Sequence, residues 1–238
     1  MKLSFAQKIH SWVIVLWAVM SIVIMGSAAI VAAFFSKDGH VPHLIGRFWA
    51  KSILWISRVK VDVQGKDHLD PEVSHVFMAN HQSFFDIPVL LGELPCQFRW
   101  LAKAELFKVP LFGAAMRGAG YISIDRSDRH AAIKSLKIAA GKIKNGVSVL
   151  IFPEGTRSRD GRLRPFKKGG FFLAIDSGVP IIPIVIHGTR EIMPRDTLDI
   201  RPGKVRVDIH MPIKSTDYCR DTKDDLLKKV RNEFTGQL

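Results

Sequence analysis

Hydrophobic and polar positions divide the chain near residue 58. Ahead of it, Trp12 to Phe35 runs without a charged residue and is long enough, as a helix, to cross a hydrocarbon core. Val41 to Ser57 predicts a second helix, apolar except for Arg47 and Lys51, which share one face and suit snorkelling toward lipid phosphates. From Arg58 onward, short apolar runs alternate with amphipathic stretches, the pattern of an α/β domain. Val59, Val61 and Val63 alternate with polar residues as in a half-exposed strand. Val76 to Met78, Val147 to Phe152 and Ile181 to Ile186 are continuous runs suited to central, doubly covered strands. Tyr121 to Ile124 and Val205 to Ile209 add two more. Asp128 to Ile143 and Thr222 to Phe234 show helical spacing, the second behind a Thr222-x-x-Asp225 capping box. Residues 1–57 are therefore expected to be membrane-anchoring helices and 58–238 an α/β domain.

Composition narrows the classes. Among 238 residues, 47% are hydrophobic and 24% charged, which argues for a folded chain and against a disordered or multi-span one. Lysine and arginine exceed aspartate and glutamate by 13, which points to an anionic partner: nucleic acid, an acidic bilayer or a phosphorylated substrate. Cys96 and Cys219 form no paired motif, so neither a disulfide scaffold nor a cysteine zinc site is expected. A cleaved signal peptide competes with the anchor reading, but its apolar region would be shorter and polar chain would follow it. Four of the five tryptophans, at 12, 17, 49 and 55, favour a membrane interface over a buried soluble helix. Basic residues flank both ends of the first helix, so spanning and lying in one leaflet both stay open.

Ligands of α/β sheets gather where strands end. One such end is Val76-Phe-Met-Ala-Asn80 leading into His81-Gln-Ser-Phe-Phe-Asp86. A histidine with a carboxylate five residues on can act as a general base with an orienting partner. The spacing alone is weak: Ser83-x-x-Asp86 is also a capping box, and His81 could be a solvated loop residue. The second end is Val149-Leu-Ile-Phe-Pro153 leading into Glu154-Gly-Thr-Arg157. Pro153 and Gly155 tighten the exit, Thr156 offers a hydroxyl and Arg157 a planar fork matched to phosphate oxygens. A surface turn with a Glu154 to Arg157 ion pair is the bland alternative. Phe166-Lys-Lys-Gly-Gly170 opens another helix, whose amides would reinforce an anion.

Asn80-His-Gln-Ser-Phe-Phe-Asp86, Gly120-Tyr-Ile-Ser-Ile-Asp-Arg126, Phe152-Pro-Glu-Gly-Thr-Arg-Ser158 and Val179-Pro-Ile-Ile-Pro183 resemble, in order, the four blocks of the glycerophospholipid acyltransferases. Their pattern is most similar to the bacterial 1-acyl-sn-glycerol-3-phosphate acyltransferase branch, and it covers about Lys60 to Pro194. The resemblance implies a mixed, mostly parallel sheet flanked by helices and preceded by a membrane-associated helical segment. It implies His81 as general base and Asp86 as its partner. It makes Lys103, Arg126, Glu154, Gly155, Thr156 and Arg157 the acceptor-binding set, with the block ending at Pro183 on the acyl side. Ser123 stands where that family has a bulkier residue. The implied partners are a phospholipid bilayer, lysophosphatidic acid and an acyl thioester donor, acyl-CoA or acyl carrier protein. Nucleic acid is not expected, nor a metal or prosthetic cofactor. The implied setting is a bacterial inner membrane with the domain on its cytoplasmic face.

On that reading His81 removes the proton of a lysophospholipid hydroxyl, the alkoxide attacks the thioester and the thiol recovers the proton. Another lysophospholipid acceptor is the alternative within this class. A serine hydrolase fits poorly, because Gly146-Val-Ser148 leads to Leu150 where a nucleophile elbow has glycine. A dinucleotide enzyme fits poorly too, because Gly118-Ala-Gly120 precedes a strand. A basic, membrane-tethered binder without catalysis rests on charge alone. His40 and His43 are expected in an interfacial loop, and His187 as a structural or rim residue near Arg190.

Overall fold

The continuous apolar runs become the centre of one sheet. The computed structural model describes residues 4–125 and 128–237. Its strands are β1 (Val59–Gln64), β2 (Val76–Ala79), β3 (Phe98–Lys103), β4 (Ile122–Ile124), β5 (Ser148–Ile151), β6 (Ile181–His187) and β7 (Gly203–Ile209). They lie in the order β1-β7-β6-β2-β5-β3-β4. All neighbours are parallel except β6 and β7. This is the mixed, mostly parallel α/β sheet expected. β2, β5 and Ile181 to Ile186 of β6 are buried throughout, as strands covered on both faces must be.

The helices are α1 (Phe5–Phe35), α2 (His40–Ile56), α3 (Asp86–Glu93), α4 (Phe112–Gly118), α5 (Arg129–Lys144), α6 (Gly169–Ser177), α7 (Thr189–Ile192) and α8 (Lys223–Thr235). On one face of the sheet Phe77, Leu150 and Ile184 pack with Leu54 of α2 and Leu90 of α3. On the other, Met78, Ile151 and Val185 pack with Ala139 of α5, Phe171 of α6 and Phe234 of α8. α6 can approach β5 this closely because Gly170 has no side chain: a Cβ there would lie 2.0 Å from Ile151 Cδ1.

α1 starts at a reciprocal capping box, with Gln7 N donating to Ser4 Oγ at 3.3 Å and Ser4 N to Gln7 Oε1 at 2.8 Å. It is about 46 Å long by helical rise. It lies along the domain rather than projecting from it. Ser11 Oγ donates to Ile200 O at 3.1 Å, Trp17 Nε1 donates to Ser52 Oγ at 3.0 Å, and Gly26 and Gly118 sit at contacts with Leu111 and Ala33. Trp12, Leu16, Ile24, Phe34 and Phe35 of α1 are exposed, as are Phe48 and Trp55 of α2 with Lys51 between them, a largely apolar outer surface.

Several local expectations are corrected. Arg47 does not snorkel: its Nη2 donates to Leu94 O at the end of α3, because α2 packs directly on that helix. His43 is no interfacial loop residue but lies in α2, fully buried with its ring edge-on to Phe98 and Tyr121. Burial, with Arg99 and Arg47 nearby, pushes its imidazole down to about 3. Thr222 does not close a capping box, since its hydroxyl accepts from Cys219 N at 2.9 Å. The apolar pattern does not show β3, because Arg99 interrupts its run. That guanidinium is buried and donates to Phe98 O, Gln97 Oε1 and Asp38 O at 3.0, 3.0 and 2.9 Å.

Candidate active site

β2 and β5 are adjacent and parallel, so the two strand ends singled out in the sequence emerge side by side. Asn80 ties β2 to β6: its Oδ1 accepts from Ile186 N at 2.7 Å and its Nδ2 donates to Ile186 O at 2.9 Å. The chain then turns through His81, and α3 begins at Asp86 rather than at Ser83. Asp86 is fully buried and faces back over the turn. His81 Nδ1 lies 2.7 Å from its Oδ2, which also accepts from Gln82 N and Ser83 N at 2.7 and 2.9 Å. Thr189 Oγ1 of α7 donates to Oδ1 at 2.5 Å. The carboxylate thus holds the loop and the imidazole with one set of bonds.

With Nδ1 engaged, the imidazole has Nε2 left for substrate. Its ring stacks on Phe152 at 3.9 Å between centroids and 9° between planes, and Trp100 backs Phe152 at 5.5 Å. Ser83, the hydroxyl nearest in sequence, is buried and donates to Met193 O at 2.7 Å, so it is not placed as a nucleophile.

Glu154 is buried and forms no pair with Arg157. Its Oε1 accepts from His81 N at 2.7 Å and its Oε2 from Arg164 N at 2.8 Å, while Ser158 N donates to His81 O at 2.7 Å. The two strand ends are therefore clamped backbone to backbone around the histidine. Burial raises the Glu154 carboxyl above its ordinary value, against the lowering effect of those two N–H groups. Gly155 takes a φ of +75°, which lets the turn reverse. Thr156 is exposed beyond it. Arg157 is half-buried, its guanidinium carbon 3.6 Å from the centroid of the Phe84 ring. Burial and then the neighbouring Arg195 lower its pKa.

Lys103 stands at the end of β3, exposed and paired with Glu105 at 3.1 Å. Two strand spacings, roughly 10 Å, separate β3 from β2. Arg126 lies outside the described residues. Val179 to Pro183 occupies the start of β6, and its strand residues pack in the core at the end opposite His81. Phe152 and Pro153 line an open, mostly apolar recess of about 270 Å³ together with Leu101, Ile124, Leu136 and Ile151, with Lys167 also on its wall. His187 pairs with Asp208 at 3.0 Å. Among the described residues no group of three or more His, Cys, Asp or Glu side chains is placed to hold a metal. Thr189, Met193 and Arg195 were not singled out from the sequence, and only their approach in space identifies them.

Comparison with known proteins shows which family the chain resembles. The acyltransferase family model matches residues 60–187. A chloroplastic 1-acyl-sn-glycerol-3-phosphate acyltransferase of Brassica napus is 43% identical over 199 residues, 82% of this chain and 56% of the relative. One from Arabidopsis thaliana is 38% identical over 79% of this chain and 54% of its own length. The chain thus spans about half the length of these two curated relatives. A 1-acyl-sn-glycerol-3-phosphate acyltransferase of Limnanthes douglasii is 36% identical, with 82% of this chain and 68% of the relative covered. The crystal structure of the 1-acyl-sn-glycerophosphate acyltransferase of Thermotoga maritima superposes with a TM-score of 0.80 at 27% identity, covering 97% of this chain and 94% of that one. The family model covers more than half of the chain, the Limnanthes relative is matched over two thirds of its length and the Thermotoga fold superposes, so the chain belongs to the acyltransferase family.

Proposed function

We propose that the protein transfers a fatty acyl group from an acyl thioester to the free sn-2 hydroxyl of 1-acyl-sn-glycerol 3-phosphate, giving phosphatidic acid. The observation that carries this reading is the His81–Asp86 pair at 2.7 Å, with Nε2 left for substrate and the neighbouring Ser83 hydroxyl turned away to Met193 O. A base without its own nucleophile serves a substrate that brings a hydroxyl. In the mechanism, Nε2 of His81 takes the hydroxyl proton as the oxygen attacks the thioester carbonyl. Asp86 stabilises the imidazolium, the carbon–sulfur bond breaks, and the thiolate recovers the proton from His81. Arg157, with Gly155 and Thr156 on the same turn, binds the acceptor phosphate, Lys103 and Arg126 are assigned to the acceptor by the sequence resemblance alone, and Glu154 positions the backbone of His81. The acyl chain lies against Phe152 and the apolar recess behind it. No step draws on a metal or prosthetic group, and the donor is acyl-CoA or acyl carrier protein.

The protein works at a bilayer surface. α1 is apolar enough to cross a membrane, but it contacts the domain from Ser11 to Ala33, about 33 Å of its length. A helix held in this way enters one leaflet side-on with α2, setting the His81 loop, with its exposed Phe84, at lipid level. A bacterial inner membrane, with the domain on its cytoplasmic face, is the setting proposed from the resemblance of the sequence blocks, whereas the Brassica and Arabidopsis relatives are chloroplastic.

The test is transfer from labelled acyl-CoA and acyl carrier protein to lysophosphatidic acid by the full chain in detergent. Phosphatidic acid formed by the wild type and lost in His81→Ala is expected. Salt-sensitive vesicle binding without transfer from either donor would overturn the enzymatic reading in favour of a membrane-tethered binder.

A further inference from the structure

A third segment, Met193-Pro194-Arg195 beyond α7, joins the two strand-end loops. Ser83 donates to Met193 O at 2.7 Å, and Arg195 Nη1 donates to the carbonyl oxygen of Arg157. Phe84, 55% exposed while the neighbouring Phe85 is buried, lies beneath the Arg157 guanidinium, whose carbon is 3.6 Å from the ring centroid. Two arginines from separate loops are thus brought together beside His81, one clamped on an aromatic face and the other bonded to the first one's backbone. Among the described residues no acceptor takes a hydrogen bond from the Arg157 guanidinium. Two carboxylates act on the pair: buried Asp86, already bonded to His81, and exposed Asp196, 3.4 Å from Arg195 Nε and 3.9 Å from Arg159 Nε. Arg195 is 19% exposed, so its charge is screened less than that of a surface arginine. Like charges held this close favour an anion between them, and the more so the greater its charge.

We infer that Arg195 and Phe84 complete, with Arg157, a seat for a dianionic phosphomonoester and are specificity-determining residues for the acceptor. Phe84 fixes the plane of the Arg157 fork. Arg195 adds the second cation, which a phosphomonoester bearing nearly two charges uses and a singly charged phosphodiester does not. The inference rests on the acceptor reading above and adds to it the discrimination between phosphate monoester and diester.

Steady-state kinetics of the full chain in detergent test it, with lysophosphatidic acid and lysophosphatidylglycerol as acceptors at fixed acyl-CoA. Arg195→Met should raise KM for lysophosphatidic acid about tenfold to a hundredfold. It should leave KM for acyl-CoA and for the phosphodiester within about twofold, so discrimination between the acceptors falls by the same factor. Arg195→Lys should recover part of it. Phe84→Leu should raise the same constant several-fold, whereas Phe84→Tyr, which keeps the ring, should not. Below about pH 6 the phosphomonoester loses its second charge, so the effect of Arg195→Met should shrink there. Equal losses of kcat on both acceptors, with no change in their ratio, would show that Arg195 only braces the loop and would overturn the inference. Binding of both lipids to catalytically silent His81→Ala, with and without Arg195→Met, reads the seat without turnover. A wild type that transfers nothing would overturn the proposed reaction and leave that binding comparison to decide the seat.

Discussion

The hydroxyl of Thr189 donates to Asp86 Oδ1 at 2.5 Å, from an element 103 residues further along the chain. The other oxygen of the same carboxylate serves His81 and two backbone amides. Thr189→Val should leave one buried carboxylate oxygen unbonded, at about 1–3 kcal/mol in stability. It should also lower kcat with little effect on either KM, because the imidazole loses its rigid support. Thr189→Ser, which keeps the hydroxyl, should restore both. Denaturant unfolding alongside steady-state kinetics checks this.

Asp86→Asn separates charge from geometry. Asparagine can still accept from the Gln82 and Ser83 amides through its oxygen, so the turn should survive. The negative charge that steadies the imidazolium is lost, and turnover should fall by about a hundredfold to ten-thousandfold. Circular dichroism and kcat on one preparation decide: a variant as active as the wild type would remove Asp86 from the mechanism.

The raised pKa of Glu154 fixes a sign. Between its ordinary value of 4.5 and the higher folded value, the native state holds a proton that the unfolded chain has released. Its contribution to stability is therefore full below 4.5 and is lost as pH rises through that window. Glu154→Gln should remove this slope. It should also cost about 1–3 kcal/mol, because its amide NH₂ confronts the N–H of His81 or Arg164. Urea unfolding across pH 4 to about 7 measures both.

His43 titrates with the opposite sign. Its imidazole is pushed down from 6.5 to about 3, so the unfolded chain takes up a proton that the folded one refuses. That contribution is present above pH 6.5 and is lost as pH falls toward 3. Nε2 of His43 is buried without a partner while Nδ1 bonds the Tyr121 hydroxyl at 3.2 Å, so His43→Met should cost about 1–3 kcal/mol for that lost bond and should flatten the acid limb of the stability curve. An acid limb as steep as that of the wild type would refute this.

Deleting residues 1–57 should not leave an independent sheet domain. Ala50, Ile53 and Leu54 are core residues, and each of the latter two contributes about 1.5–3 kcal/mol by burial against α3 and the sheet. The truncated chain is expected to aggregate, whereas charge placed on the outer surface, as in Trp12→Glu with Phe48→Glu, should keep the fold and reduce vesicle binding. Flotation and thermal melts distinguish the two.

The sequence by itself determined the elements whose signal is local. Six of the strands, the helices around Asp128 to Ile143 and Thr222 to Phe234, and the loops at His81 and Glu154 follow from apolar runs, spacing and turn residues within a few positions. His81 and Asp86 were legible because five residues of chain join them and their bond closes that short turn. Tertiary structure decided what depends on distance along the chain. Arg99 hid β3, because a buried arginine is acceptable only when carbonyls such as Asp38 O, 61 residues away, receive it. Sequence alone leaves Glu154 between the acceptor-binding set and an ion pair with Arg157, and it is the β2–β5 register that aims it at the amide of His81. Thr189 and Arg195 carry no motif at all. They matter because β6 runs beside β2 and delivers the next loop over His81, a coincidence of strand order that hydrophobic periodicity cannot express, since periodicity records which face is buried and not which strand lies alongside.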